Sequence, residues 1–264
     1  MRLAVTTPLY PAPAEVLGAQ LAAERRGLPY VERGGRALSR ALSEAAADAA
    51  LVLSLHRAVL WVAGGGATWS PGMGALRLKR YLAARRGGRP GAAGDPFLEA
   101  AGVEPGDSVL DCTAGLGADS LLAAAAAGPG GTVVALESVA ALAAWTGEGL
   151  CRFEAEPARR IEVLHVDHGT FLARCAARSF DVVLFDPMFR HARPEPGGFQ
   201  VVRRLSDPRP LSPEALRDAR RVARRFVVVK DGAPGWDLSR LGLTPLSSAR
   251  GAHRYYARVE ADGA

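Results

Sequence analysis

Four acidic residues close four consecutive apolar runs between residues 108 and 186. Asp111 ends the run 108–111, Glu137 follows 132–136, Asp167 follows 161–166, and Asp186 follows 181–185. Each run leads into a stretch of helical character, so the pattern reads as parallel strands alternating with helices. Their C-terminal ends then share one edge, where such sheets take ligands. One carboxylate at that edge is routine, because it also caps the next helix. Four in series describe a site.

A Gly-rich turn with Gly115 and Gly117 follows Asp111, and 118–127 then reads as helix. Glycine lets a ligand approach the backbone, and the N–H groups of Ala118 and Asp119 at the helix start face whatever lies above the strand. Glu137 comes about 20 residues later, where an acidic side chain accepts both hydroxyls of a ribose. Ser138 follows it. A dinucleotide fits poorly: the third glycine is missing, and Asp111 and Asp119 set negative charge where a pyrophosphate would lie. Those carboxylates suit a cationic amino-acid and sulfonium group, the end of S-adenosylmethionine. Asp167, with His168 beside it, is placed to accept from an adenine amine. Helix capping is the competing reading for Asp119 and Asp167.

The segment 185–190 reads FDPMFR. Acid, proline, variable position and aromatic at a strand end look like the [DN]-P-P-[YF] signature of methyltransferases that modify exocyclic amino nitrogens. Such an amine is a poor nucleophile because its lone pair is delocalised into the ring. Asp186 and the Pro187 carbonyl can accept its two hydrogens and aim the lone pair, while Phe189 stacks on the base. Met188 stands where the usual motif has its second proline. Arg190, Arg193 and Lys230 are candidate phosphate contacts. Arg77 and Lys79, with Trp69 and Met73, form a candidate substrate-facing wall. The alternative is that Trp69 packs in the core and Ser70 caps the helix after it. As bland readings, D-P is a common turn and Phe189 a core residue. No metal is called for.

These residues need elements to hold them. The chain has 264 residues, 48% of them apolar, enough for one large domain or a core domain with a smaller attachment. No apolar stretch is long enough to span a bilayer, and the N-terminus lacks a secretory apolar block, so a cytoplasmic protein is expected. Three cysteines without C-x-x-C spacing fit a reducing compartment. The net charge is +6 with only two lysines, and arginines cluster at 77–89, 190–209 and 217–225, around the expected site. RNA is the partner such charge would suit. Residues 1–85 read as a small α/β unit with a hairpin around His56 and Arg57, and 64–74 as a Gly-dense loop. Residues 86–94 read as a linker and 95–264 as the main domain, with further strand candidates at 241–246 and 255–259.

The succession DCTAGLGADS, ALES, HVDHGTFL, FDVVLFDPMFRH, RRFVVVK and GAHRYYA resembles the bacterial small-subunit ribosomal RNA methyltransferase J family and its uncharacterised relatives. These belong to the class I S-adenosylmethionine-dependent methyltransferases. The resemblance covers about residues 95–259, and D-P-M-F is its most specific part. It implies a Rossmann-like, seven-stranded, mostly parallel sheet with helices on both faces. It places Ala118, Asp119, Glu137, Ser138, Asp167, His168 and Asp186 at the cofactor, and it implies methylation of guanine N2 in 16S ribosomal RNA. After D-P-M-F-R the family's lysine-rich continuation is replaced by arginines, and S-P-G-M-G-A-L-R is closer to the uncharacterised branch. The other readings are methylation of a small molecule or protein, and a noncatalytic nucleotide- or RNA-binding module.

Overall fold

The computed structural model describes residues 1–63, 65–88, 94–187, 198–246 and 254–263. The N-terminal part runs β1 (Leu3–Thr6), α1 (Pro13–Arg25), α2 (Leu38–Glu44), β2 (Ala49–Leu53), β3 (Ala58–Val62), β4 (Gly65–Thr68) and α3 (Met73–Arg86). Its sheet has the order β1-β2-β3-β4, with β1 parallel to β2 and the rest antiparallel. The β2–β3 hairpin turns at 54–57, closed by a bond from Ser54 N–H to Arg57 O of 3.0 Å. Tyr30 adds only an isolated parallel bridge to Val5.

The second part continues with α4 (Pro96–Ala101), β5 (Ser108–Asp111), α5 (Ala118–Ala127), β6 (Thr132–Glu137), α6 (Ala140–Arg152), β7 (Ile161–His165) and α7 (His168–Arg174). It ends with β8 (Phe180–Phe185), α8 (Gly198–Leu205), α9 (Pro213–Val222), β9 (Ala223–Gly232), α10 (Trp236–Arg240) and β10 (Arg254–Glu260). The sheet order is β10-β9-β8-β5-β6-β7, parallel except for β10. The order reverses beside β5, which places a crevice above the C-terminal ends of β5, β6 and β8. Local chemistry sets the helix starts. Asp95 accepts from Phe97 and Leu98 N–H ahead of Pro96, and Ser212 accepts from Ala215 N–H ahead of Pro213.

Among the described residues the larger sheet has six strands, where the sequence implied seven. The candidate strand at 241–246 instead closes α10. Gly242 sits at φ +69°, Leu243 N–H bonds back to Leu238 O at 2.8 Å, and Pro245 has no N–H to give a ladder. A single bond, Leu246 N–H to Tyr256 O, ties this segment to β10. Two expectations in the Gly-dense stretch also change. Residues 65–68 form β4 rather than loop, and Ser70 accepts from Gly72 N–H in a turn, leaving α3 without a side-chain cap. Trp69 is a core residue, edge-on to Phe153 at 5.9 Å.

The two sheets share one core. Leu3, Val5, Leu51 and Leu60 pack in the same buried cluster as Leu121, Leu142, Trp145 and Leu150 from α5 and α6. Trp145 Nε1 donates to Ala58 O at 3.0 Å, and Gly149 of α6 leaves the room that Trp69 occupies. Gly74 of α3 packs on Ala118 so closely that a Cβ there would lie 2.9 Å from Ala118 Cα. Among the described residues no helix is long and apolar enough to cross a membrane, and no group of His, Cys, Asp or Glu is placed to hold a metal.

Candidate active site

The parallel register sets the four strand-end carboxylates along one edge: Asp111 lies opposite Leu184 of β8 and Ala135 of β6, and Glu137 opposite His165 of β7. A cleft of about 330 Å³ opens there, within the range of small-molecule sites. Gly115, Glu137, Ser138, Asp167, His168, Asp186 and Pro187 all line it.

Glu137 ends β6 with its carboxylate held by main chain: Val139 N–H donates at 3.0 Å and Gly115 N–H at 3.3 Å. Gly115 provides its N–H from φ +50°, a conformation that favours glycine. Burial pushes the Glu137 carboxyl up, against those N–H bonds. Asp167 caps α7 through Thr170 N–H at 3.0 Å and takes Arg209 at 3.4 Å, so capping and cleft lining coexist in one residue. Burial would raise its carboxyl, but the Thr170 bond, His168 and Arg209 outweigh it and hold it low. His168 stands edge-on to Phe185 at 5.5 Å, and burial lowers its pKa, favouring neutral imidazole.

Asp186 closes β8. Its N–H donates to Thr113 Oγ1 at 2.6 Å, and its Oδ2 accepts from Lys230 Nζ. Its side chain is 34% exposed, towards the cleft. Burial outweighs Lys230 and raises its pKa. Asp111 lies behind it, buried, accepting from Thr113 N–H at 3.0 Å and from Ser120 Oγ; burial pushes its pKa to about 6.

Other expected site residues are placed elsewhere. Gly117 points at the core, where a Cβ would meet Leu150 and Thr146 at 3.3–3.4 Å, and Ala118 packs on α3. Neither lines the cleft. Asp119 is buried between two cations, Lys230 Nζ at 2.8 Å and Arg77 Nη1 at 2.6 Å. Burial alone would raise its carboxyl; the two cations drive it below the usual range. Lys230 is therefore an inward-facing, paired group, not a phosphate contact on a surface, and Arg77 is held by Asp95 and Asp119 instead of facing substrate as a wall. Lys79 is exposed on α3. Met188, Phe189, Arg190 and Arg193 lie outside the described residues. The arginines at 217–225 divide: on α9, Arg217 pairs with Glu214 and Arg221 with Asp218, two residues of the cleft lining, whereas Arg224 pairs with Asp181 and Arg225 with Asp107, beside the starts of β8 and β5, at the opposite edge.

Sequence reasoning missed the outer wall. Ser206, Asp207, Arg209, Pro210, Leu211 and Ser212 face the strand ends across the cleft, and Arg209 links Asp207 to Asp167. The one available signal was the S-D-P-R-P-L-S-P run, whose prolines and Ser212 cap start α9 at this edge.

A Rossmann-like sheet carrying a Gly turn, a main-chain-held carboxylate on the second strand and an acid-proline step on the fourth, all on one cleft, defines a class I methyltransferase. Residues 75–241 match the SAM-dependent methyltransferase family, SAM_MT, and the chain belongs to it. It is an S-adenosylmethionine-dependent enzyme. It is 31% identical over 234 residues to the uncharacterised protein YpiP of Bacillus subtilis strain 168, covering 86% of this chain and 88% of that one. It is 34% identical over 185 residues to ribosomal RNA small subunit methyltransferase J of Laribacter hongkongensis. That match covers 64% of each chain, so it spans less than two thirds of the ribosomal enzyme. A SAM-dependent methyltransferase from Neisseria gonorrhoeae shares the fold at a TM-score of 0.56, with 22% identity over 98% of this chain and 96% of its own.

Proposed function

We propose that this enzyme methylates an exocyclic amino group of an RNA base, guanine N2 of small-subunit ribosomal RNA. The observation that carries the reading is the place of Asp186 and Pro187: they end β8 on the same cleft as Glu137 and Asp167, anchored from both sides by Thr113 and Lys230. The relative named as a small-subunit ribosomal RNA methyltransferase supports the substrate class.

The cleft fits the cofactor. Glu137, preset by two main-chain N–H groups, is the acceptor for ribose hydroxyls; Asp167, with His168 and Ser138 beside it, takes the adenine end, and Gly115 leaves its backbone open to approach. Bound S-adenosylmethionine supplies an electrophilic methyl group on a sulfonium. Asp186 and the Pro187 carbonyl accept the two hydrogens of the substrate amine, fixing the nitrogen and aiming its lone pair. Positioning of this kind is the main catalytic contribution, and a strong general base is unnecessary because the amine loses its proton as the new bond forms. Met188 and Phe189 continue directly from Pro187, with the stacking role assigned to Phe189; Arg190, Arg193 and Lys79 are assigned to RNA phosphates.

The test uses purified protein, methyl-tritiated S-adenosylmethionine and small-subunit RNA from cells lacking the gene. Label should enter the RNA with wild type and fail to enter with Asp186→Ala. Label that enters protein or small molecules from the same cells, and not RNA, would refute the RNA assignment.

A further inference from the structure

We infer that Lys230 is a positioning residue for Asp186, and that Arg77, acting through Asp119, fixes Lys230 from the N-terminal unit. The inference rests on the reading of Asp186 as the amine acceptor.

Five charged groups alternate in sign in one buried line. Asp95 takes Arg77 in a two-pronged pair at 2.9 and 3.0 Å. Arg77 Nη1 reaches Asp119 Oδ1 at 2.6 Å, Asp119 Oδ2 takes Lys230 Nζ at 2.8 Å, and the same Nζ bonds Asp186 Oδ2. Each cation touches two carboxylates. The members come from α3, the cap of α4, α5, β9 and the end of β8. Lys230 is 8% exposed, whereas Asp186, at 34%, is the member that opens to the cleft. Two cations against three carboxylates leave one net negative charge, and the open end of the line is where that charge meets substrate.

Stability alone does not call for such a line, since a buried ion pair is often no better than an apolar replacement. A fixed acceptor does. Lys230 takes Oδ2 of Asp186 and Thr113 takes its N–H, so both the side chain and the backbone are held, and Oδ1 has no partner among the described residues. Asp119, shared with Arg77, keeps the ammonium from following Asp186 into the cleft. The close seat of Gly74 on Ala118 sets α3 at the height where Arg77 meets Asp119. Through Arg77 the N-terminal unit thus reaches the site. The charged groups around Asp186 are Asp111 from β5, Asp119 from α5, Lys230 from β9, and Arg254 and Tyr256 from β10, with Arg77 beyond Asp119.

The test compares full-length wild type with Lys230→Met, Lys230→Arg and Arg77→Met by two readouts. In 13C-aspartate-labelled protein, with the Asp186 carboxyl resonance identified by its loss in Asp186→Asn, the titration midpoint should rise by about one pH unit in Lys230→Met. It should rise less in Arg77→Met and stay near wild type in Lys230→Arg. With small-subunit RNA, kcat should fall about 100-fold in Lys230→Met with KM for RNA little changed, and Lys230→Arg should recover most of it. A folded Lys230→Met with an unmoved midpoint and normal kcat overturns the inference. Should Lys230→Met not fold, Arg77→Met decides: wild-type midpoint and kcat overturn it. A wild type inactive on RNA refutes the proposed function, and the titration alone then decides the role of Lys230.

Discussion

Glu148→Ala should unfold the junction between the two sheets far more than a surface charge change would. The Glu148 side chain on α6 is 0% exposed and accepts from Arg26 Nε at 2.9 Å and Arg152 Nη1 at 2.7 Å. Arg26 and Arg152 are themselves only 19% and 14% exposed, so truncation removes the carboxylate from two desolvated guanidinium groups, of which Arg152 keeps its bonds to the carbonyls of Ser54 and residue 148. The third partner, Arg25, is 59% exposed and adds little. Breaking a buried pair of this kind costs about 3–5 kcal/mol. For a chain of this size that lowers Tm by about 6–20 °C. Burial would raise the Glu148 pKa, but Arg26 and Arg152 outweigh it and the net shift is downward from 4.5. Its contribution is therefore complete above the unfolded value and disappears as pH falls through the lower folded value. Calorimetry from pH 7 to pH 3 should show the gap between wild type and variant closing at the acid end. A difference below about 1 kcal/mol at pH 7, the range of an exposed pair, would refute the reasoning.

Three further outcomes follow from single contacts. Gly149→Ala drives a Cβ into the indole ring of Trp69, so α6 or Trp69 must shift; thermal melts should show a loss of about 1–3 kcal/mol, and an unchanged Tm would show that the tryptophan has room. Glu137→Ala should weaken S-adenosylhomocysteine binding by about 1.5–3 kcal/mol, the worth of hydrogen bonds to a charged group, read by titration calorimetry. An unchanged Kd would remove Glu137 from the cofactor site. Asp111 ionises near pH 6 in the folded chain against an ordinary 3.8, so wild type should lose stability relative to Asp111→Asn as pH rises between those values. Parallel pH curves would contradict the burial argument.

The strand-end acids were legible because period and position coincide: an apolar run, an acid, then a helix start fixes both the element and the edge. The positions of Asp111, Glu137, Asp167 and Asp186 follow from that alone. What was not legible depends on partners far apart in the chain. Nothing in the spacing of Arg77, Asp119, Asp186 and Lys230 says that they form one line, so Lys230 read as a phosphate contact and Arg77 as part of a substrate-facing wall. The arginine-rich run 217–225 was legible only in part: Arg217 stays beside the cleft on Glu214, while Arg221 gives donors to the carbonyls of Leu172 and Cys175 and Arg224 and Arg225 pair at the opposite edge. Strand β4 was hidden by composition: GGAT has weak β character, and its pairing with β3 comes from main-chain bonds while Gly66 accommodates the side chains of Val59 and Trp61.

Nucleoside mass spectrometry of small-subunit ribosomal RNA tests the central claim most directly, using a strain lacking the gene complemented with wild type or with Asp186→Ala. One N2-methylguanosine should disappear on deletion and return with wild type alone. An unchanged nucleoside profile on deletion, or full restoration by Asp186→Ala, would contradict it.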